Sequence, residues 1–368
     1  MRPVTGREGS AMKILQVIPY FCFGGAEIMC ENLTYALMDL GHQVSVVSLY
    51  GEHTPISERM EKAGVEILYL DKKLGLDISM VPKLARLMKR EKPDVVHTHL
   101  DVIKYAAAAA KLAGVRACVH TVHSVADKEA EGRIQKWINK TYFRLGWSVP
   151  VALSPEVQAS IARFYGMDRR KIPVIYNGID LSKCIPKDSY AVGDTVTLLH
   201  VGRFDVPKNH AGLLKAFQKL HAAYPQCRLQ LVGDGDLRGD METLAEELGL
   251  LDCVRFFGMQ ADVHPYLHGA DIFVLPSVYE GNPMTIIEAM GTGLPIVATA
   301  VGGIPDMLQN GKNALLVPCE TDAVCEACGA LVADEGLRTR LGRQAKIDSS
   351  RFSSKYMAER YCESYAAH

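Results

Sequence analysis

Two carboxylates eight residues apart, Glu280 and Glu288, follow the apolar run Asp271–Ser277 in the second half of the chain. Between them, Asn282 and Pro283 have the types of a helix N-cap and a first helical residue, with Met284 and Thr285 in the first turn. A helix N-terminus offers free backbone N–H groups and the positive end of a dipole, which suits an anion. With Glu280 outside that mouth and Glu288 more than a turn inside, acids that accept hydroxyl protons bracket a place for phosphate. A nucleotide sugar requires that combination. A second constellation, Gly202-Arg203-Phe-Asp-Val-Pro-Lys208-Asn209, opens a helix after an apolar run. Its arginine fork and lysine point charge supply a clamp for a diphosphate. Taken alone, it is also readable as a capped turn with exposed basic residues.

Weaker signals have plainer readings. His97 and His99 alternate on one side of a strand and could pass for a metal pair, yet no third ligand lies near; they read as cleft-lining or packing histidines. Gly233-Asp-Gly235 fits a phosphate turn or an ordinary tight turn after a strand. Ser154-Pro155-Glu156 is a helix start before it is a nucleophile. Among the ten cysteines, most sit singly among apolar residues, and Cys325-Glu-Ala-Cys328 falls in an Ala-rich stretch that reads as mid-helix; reduced thiols are expected.

The elements that must position these residues are legible as an alternation. Short apolar runs at Lys13–Ile18, Gln43–Leu49, Val65–Leu70, Asp94–His97, Ala117–Thr121 and Val149–Leu153 alternate with helical spacing at 26–40, 80–92 and 101–113. A second series starts afresh at Thr195–Val201 and continues at Leu229–Val232, Val254–Phe257, Ile272–Leu275, Pro295–Ala298 and Leu315–Val317. Strands alternating with helices predict parallel sheets with helices on both faces. The fold class expected is α/β, two Rossmann-like doubly wound domains facing across a cleft: 12–185 and 186–350. A C-terminal helix over 352–366 is expected to pack back on the first domain, and residues 1–11 to be disordered.

Together these motifs resemble the retaining GT-B glycosyltransferases of family 4. The resemblance runs from Met12 over nearly the whole chain and adds Gly-Gly-Ala-Glu at 24–27, Pro-Asp-Val-Val-His-Thr-His at 93–99, Thr-Val-His-Ser at 121–124, Asn-Gly-Ile-Asp at 177–180 and Val-Gly-Asp-Gly at 232–235. It implies that Arg203 and Lys208 hold the donor diphosphate, Glu288 the ribose hydroxyls and Glu280 the hexose ring. Gly24 and Gly25 would let backbone approach the phosphates, and His123 would point at the transferred sugar. Gly202, Pro283, Met284, Thr285 and Gly235 would line the donor site, and Asn282 would tune the choice of sugar. The implied reaction moves a hexose or N-acetylhexosamine from a nucleoside-diphosphate sugar, UDP before GDP, to a hydroxyl of a glycan or lipid-linked acceptor. No metal or other cofactor is implied. No carboxylate is assignable beneath the anomeric carbon, so front-face substitution is expected, with the leaving diphosphate taking the acceptor proton and domain closure excluding water.

Composition narrows the alternatives. The chain has 368 residues, is 48% hydrophobic and 23% charged, and carries a net charge of −1, which excludes a disordered or collagen-like chain and argues against a nucleic-acid partner. No apolar run reaches the length of a membrane span, and the N-terminus lacks a signal-peptide core, so a cytoplasmic location is expected. Residues 1–190 carry a net +6 and residues 191–368 a net −7. The excess gathers at Lys83–Arg90 and at Arg133–Arg144, the latter interleaved with Trp137, Tyr142 and Phe143. These stretches read as solvated helix faces, or as a surface for peripheral contact with an anionic membrane. Three competitors stay open: a GT-B-type epimerase, a nicotinamide-dependent oxidoreductase and a non-catalytic sugar-nucleotide binder. The oxidoreductase is disfavoured because no G-x-G-x-x-G follows the first strand.

Overall fold

The computed structural model describes residues 11–22, 24–130 and 132–368; the expectation of disorder over 1–11 lies outside the described residues for 1–10. The chain divides into two compact units, one running to Tyr176 and resuming at Ser354–His368, the other Asn177–Ser353. The division falls ahead of the joint expected near 185. Asn177 already belongs to the second unit, because its backbone N–H donates to Asn282 Oδ1 at 2.8 Å and its Nδ2 donates to Asn282 O at 2.9 Å.

The first unit holds β1 (Lys13–Ile18), β2 (Gln43–Ser48), β3 (Glu66–Tyr69), β4 (Val95–His99), β5 (Ala117–Val122) and β6 (Val149–Ala152). The second holds β7 (Val196–Val201), β8 (Cys227–Val232), β9 (Val254–Gly258), β10 (Ile272–Leu275), β11 (Ile296–Thr299) and β12 (Leu315–Val317). The sheet orders are β3-β2-β1-β4-β5-β6 and β12-β11-β10-β7-β8-β9. Read from its own first strand, each unit has the same doubly wound order, and every strand pair is parallel.

Burial on both faces explains why these strands are continuous apolar runs rather than alternating ones. Every residue of β4 and β5 is buried, and so is every residue of β10 and β11. In the first unit, Leu15, Val17 and Val96 pack with Ile103 and Ala106 of the Ile103–Ala113 helix, while Ile18 and Val46 pack with Phe21 and Ile56 on another cluster. In the second, Leu198, Leu229, Ile272 and Val297 meet Leu213 and Phe217 of the His210–Ala223 helix and Leu331 of the Thr321–Ala333 helix. Cys325 and Cys328 lie within that last helix, and all ten cysteines are free thiols. Ser154 caps the Pro155–Tyr165 helix, its Oγ accepting from Val157 N at 3.2 Å.

The final helix, Ser354–Ala366, rests on the Gly25–Asp39 helix of the first unit and begins two residues later than the sequence pattern suggests. Its tyrosines are buried: Tyr361 OH pairs with Thr121 Oγ1 and Tyr365 OH with His97 Nδ1, each at 2.7 Å.

Candidate functional site

Strand order decides where chemistry can gather. In each sheet the order reverses between the first and fourth strands, and loops leaving the carboxyl ends of such neighbours diverge to opposite faces, opening a crevice. In the second unit those neighbours are β7 and β10, with Leu198 opposite Ile272. The loop after β7 carries Gly202, Arg203, Asp205 and Lys208; the loop after β10 carries Ser277, Glu280, Asn282 and Pro283. Topology thus brings together the two motifs, some seventy residues apart.

The two loops are laced to one another. Val278 N donates to Pro207 O at 2.8 Å, and Asn209 Nδ2 donates to Pro276 O at 3.1 Å. Asn209 has a left-handed backbone (φ 54°) and caps the next helix through Gly212 N, so it turns the chain immediately after Lys208. Lys208 Nζ lies 2.6 Å from Glu280 Oε1, which also receives the Ser277 hydroxyl at 2.6 Å. Both charged side chains are largely buried, with 19% of Lys208 and 8% of Glu280 exposed. Arg203 is the contrast: its guanidinium is 64% exposed, and its ion pair with Asp236 reaches only 4.0 Å. The lysine pairs closely in a largely buried contact, and the arginine stands largely in solvent.

Glycines hold the loops close. Gly302 has φ 55°, and a Cβ there would meet Glu280 O at 1.8 Å; the neighbouring Gly303 N–H donates to that same oxygen at 3.0 Å. Gly233, at φ 138°, comes so near the loop after β7 that a Cβ would meet Gly202 O at 2.0 Å. Gly235 lies behind Phe204 in the same packing. The glycine turn after β8 therefore supports the loop carrying Arg203.

The helix at the mouth is Met284–Thr292. Its N-cap is Pro283, with extended backbone (φ −70°, ψ 119°), not Asn282 as the sequence suggests. The Asn282 side chain is instead used by Asn177, which anchors the loop from outside. Inside, Thr285 Oγ1 and Glu288 Oε2 are buried without hydrogen-bond partners, as are Asn282 Nδ2 and Asp205 Oδ1. Buried polar groups without partners are rare in folded proteins, and those of Asn282, Thr285 and Glu288, at and just inside this helix mouth, suit a polar ligand. Burial pushes the Glu288 carboxyl up to about 8, with a further push from Asp262. Burial likewise raises Asp205, against the pull of Lys208 and Arg203.

His200, on β7 directly under the loop that follows it, is not singled out by the sequence. Its Nδ1 pairs with Val274 O at 2.9 Å and its Nε2 is unpartnered. Burial lowers it to about 4, so it is neutral. A lone histidine in Leu-Leu-His-Val looks like one more strand residue, and nothing in the sequence distinguishes it.

In the first unit, Gly24 caps the Gly25–Asp39 helix and a Cβ there would strike Glu27 Oε2 at 2.5 Å, whereas Gly25 faces open space. Glu27 is buried and raised by that burial, and it accepts from Cys22 Sγ at 3.0 Å. His123 follows β5; its Nε2 lies 3.1 Å from His99 Nδ1. His97 is fully used by Tyr365 OH and Thr121 Oγ1, each at 2.7 Å. Among the described residues no group of three or more histidine, cysteine or acidic side chains is arranged to hold a metal ion.

Two family models match most of this chain. The family described as "Glycosyltransferase Family 4" matches residues 23–183, and that described as "Glycosyl transferases group 1" matches residues 195–334. The chain is a GT-B glycosyltransferase of the family 4 type. Among curated relatives of this glycosyltransferase, the lipopolysaccharide core biosynthesis glycosyltransferase LpsE of Rhizobium meliloti is 27% identical, with 94% of this chain and 96% of that protein covered. The UDP-Gal:alpha-D-GlcNAc-diphosphoundecaprenol alpha-1,3-galactosyltransferase of Escherichia coli is 29% identical over 66% of each chain. Among solved structures, HepE of Anabaena in complex with UDP superposes with a TM-score of 0.84 at 21% identity, covering 97% of this chain and 100% of that one. That similarity supports the fold.

Proposed function

We propose that this glycosyltransferase takes a hexosyl or N-acetylhexosaminyl group from a UDP-sugar and passes it, with retention, to a hydroxyl of a lipid-linked or surface-polysaccharide acceptor. The observation that carries the reading is the mouth of the Met284–Thr292 helix, where unpartnered Thr285 Oγ1 and Glu288 Oε2 adjoin the loops holding Lys208, Glu280 and Arg203. Uridine is favoured by the complexes of HepE with UDP, and a lipid diphosphate acceptor by the name of the Escherichia coli relative.

In the proposed reaction, the bond from the anomeric carbon to the β-phosphate oxygen breaks and a bond to the acceptor oxygen forms on the same face. The acceptor's proton passes to the departing diphosphate. Arg203, Lys208 and the backbone N–H groups at the helix mouth stabilise the charge that develops on it. Glu288 accepts the ribose hydroxyls, Glu280 those of the hexose, and His123 holds the transferred ring; Gly24, Gly25 and Gly235 leave room for backbone near the donor. No metal ion is assigned a part, because the chain's own cations meet the diphosphate.

A thermal-shift screen with UDP, GDP, ADP, dTDP and NAD tests the donor assignment. UDP is expected to raise Tm most, and Lys208→Met, which keeps the lysine stem, is expected to lose that rise. Stabilisation by NAD alone would return the oxidoreductase reading.

The acceptor side has a candidate surface of its own. In the loop after β3, Lys72 Nζ bonds Tyr50 OH and the carbonyls of Lys73 and Gly75, at 3.0, 2.8 and 2.6 Å. Held this way, the loop lifts Leu74, Leu76 and Ile78 to 91%, 74% and 77% exposure beside the basic helix Met80–Glu91. Apolar tips next to lysines suit an anionic bilayer surface, and the proposed location is peripheral on the cytoplasmic side. Among the described residues no helix is long and apolar enough to cross a membrane. Co-sedimentation with phosphatidylglycerol vesicles is expected, with loss in Leu76→Glu/Ile78→Glu and weakening in high salt; equal pelleting of the variant would remove this role.

A further inference from the structure

His123 depends on a hydrogen-bonded chain that begins at a group with no choice of role. The Cys30 carbonyl can only accept, and it receives Thr34 Oγ1 at 2.8 Å and Gln16 Nε2 at 3.4 Å. With its proton committed there, Thr34 Oγ1 accepts from Gln16 Nε2 at 2.6 Å. Both contacts put the amide nitrogen of Gln16 on that side and its oxygen on the other. Gln16 Oε1 faces Cys30 Sγ at 3.4 Å and His99 Nε2 at 2.9 Å. An amide oxygen also only accepts, so His99 carries its hydrogen on Nε2. The His99 ring is wholly buried, and that burial, with His97 stacked on it at 4.3 Å, holds it well below the usual histidine range and therefore neutral.

A neutral ring has one hydrogen, so His99 Nδ1 is a bare acceptor, and the group it faces at 3.1 Å is His123 Nε2. We propose that Thr34, Gln16 and His99 are positioning residues that lock His123 as the Nε2–H tautomer, so that its Nδ1 accepts a hydrogen bond from a sugar hydroxyl. Among the described residues Nδ1 has no hydrogen-bond partner of its own. Burial takes His123 down to about 4, so the ring stays neutral near pH 7 and cannot act there as a cationic donor. Its backbone is held too: the N–H groups of His123 and Ser124 both donate to Glu129 Oε2, whose other oxygen takes His120 Nε2 at 3.1 Å. The group opposite Nδ1 must then bring a hydrogen, which a hydroxyl does and a fluorine or a methyl ether does not. That last clause rests on the transferase reading; the tautomer does not.

The test is long-range ¹H–¹⁵N correlation NMR on the full chain labelled at histidine nitrogens, with the His123 signals assigned by their loss in His123→Gln. A protonated-type Nε2 and a bare-type Nδ1 are expected near pH 7.5. A protonated Nδ1, or an average of both tautomers, overturns the proposal. In Gln16→Leu, confirmed folded by its melting curve, His123 is expected to average between tautomers; a single unchanged tautomer there means that the chain is not the cause. If Gln16→Leu does not fold, the wild-type spectrum decides alone. Failure of the transferase reading is seen separately, as the absence of any nucleoside-diphosphate stabilisation in the melting screen.

Discussion

Arg203→Ala is expected to cut turnover by about 10²–10³-fold while moving Tm by less than about 2 °C. The two halves of that expectation have separate causes. The guanidinium is mostly exposed and meets Asp236 only at 4.0 Å, so removing it breaks no buried contact. An exposed pair at that distance contributes little to stability. The loop itself is fixed by other means: Gly202 N bonds Val232 O at 3.0 Å, Phe204 N bonds Asp234 O at 3.0 Å, and Gly233 packs beneath. In the proposed reaction, what the substitution removes is a fork of donors that meets the departing diphosphate when its charge is largest. Arg203→Lys keeps the charge and loses the fork, so partial recovery is expected. Lys208 gives no such clean separation. Its ammonium neutralises Glu280 in a largely buried pair, and truncation to alanine leaves a carboxylate there with the Ser277 hydroxyl as its remaining side-chain partner. Such losses destabilise strongly, so a low activity in Lys208→Ala mixes folding with chemistry. Steady-state turnover and melting curves measured together on the arginine variants make the decision; unchanged turnover in Arg203→Ala removes the arginine from the reaction.

The fold was readable because doubly wound sheets write themselves plainly. Strands such as Ile272–Leu275 and Leu315–Val317 are apolar throughout, bounded by turn residues and spaced by helices, so their ends are visible. Where ends were misplaced, hydrogen bonding overruled side-chain type. β4 runs through His97 to His99 because the polar residues of Val-Val-His-Thr-His are buried and paired by neighbours that the sequence does not announce. The helix mouth begins one residue late because Pro283 keeps an extended ψ and Asn282 is engaged by Asn177. Of the residues declared by type and spacing, Lys208 and Glu280 meet at the switch point at 2.6 Å, and Glu288 lies inside the helix that follows. The residues that shape them were silent. Gly302 behind Glu280 and His200 beneath the loop after β7 act through contacts between segments distant in the chain, Ser277 acts from three residues before Glu280, and each looks ordinary among its sequence neighbours.

Glu288→Gln is expected to raise Tm in alkaline buffer while abolishing stabilisation by UDP. The folded carboxyl titrates at about 8, well above the ordinary value of 4.5, so between those values the folded chain holds a proton that the unfolded chain has released. The sign follows: the native contribution of Glu288 is intact below about pH 4.5, erodes as pH rises, and is fully lost above about 8. Glutamine has the same shape and no titration, so the gap between variant and wild type opens with pH and levels off above 8. For a unit of this size each ~1 kcal/mol relieved corresponds to roughly 2–4 °C. The wild-type residue is therefore a standing cost, with Oε2 buried and unpartnered beside Asp262. Retaining that cost makes physical sense where a ligand's hydroxyls supply the missing donors, for a carboxylate receives two hydroxyl protons better than a carboxamide does. On the proposed role of Glu288, the same linkage predicts that UDP binds more tightly as pH rises through about 8, because the ionised form is the better acceptor for a diol. Melting curves of both proteins from pH 6 to pH 9, with and without UDP, read both effects. A Tm gap that stays constant with pH means that Glu288 is already ionised, and UDP stabilisation that survives the substitution moves the ribose elsewhere.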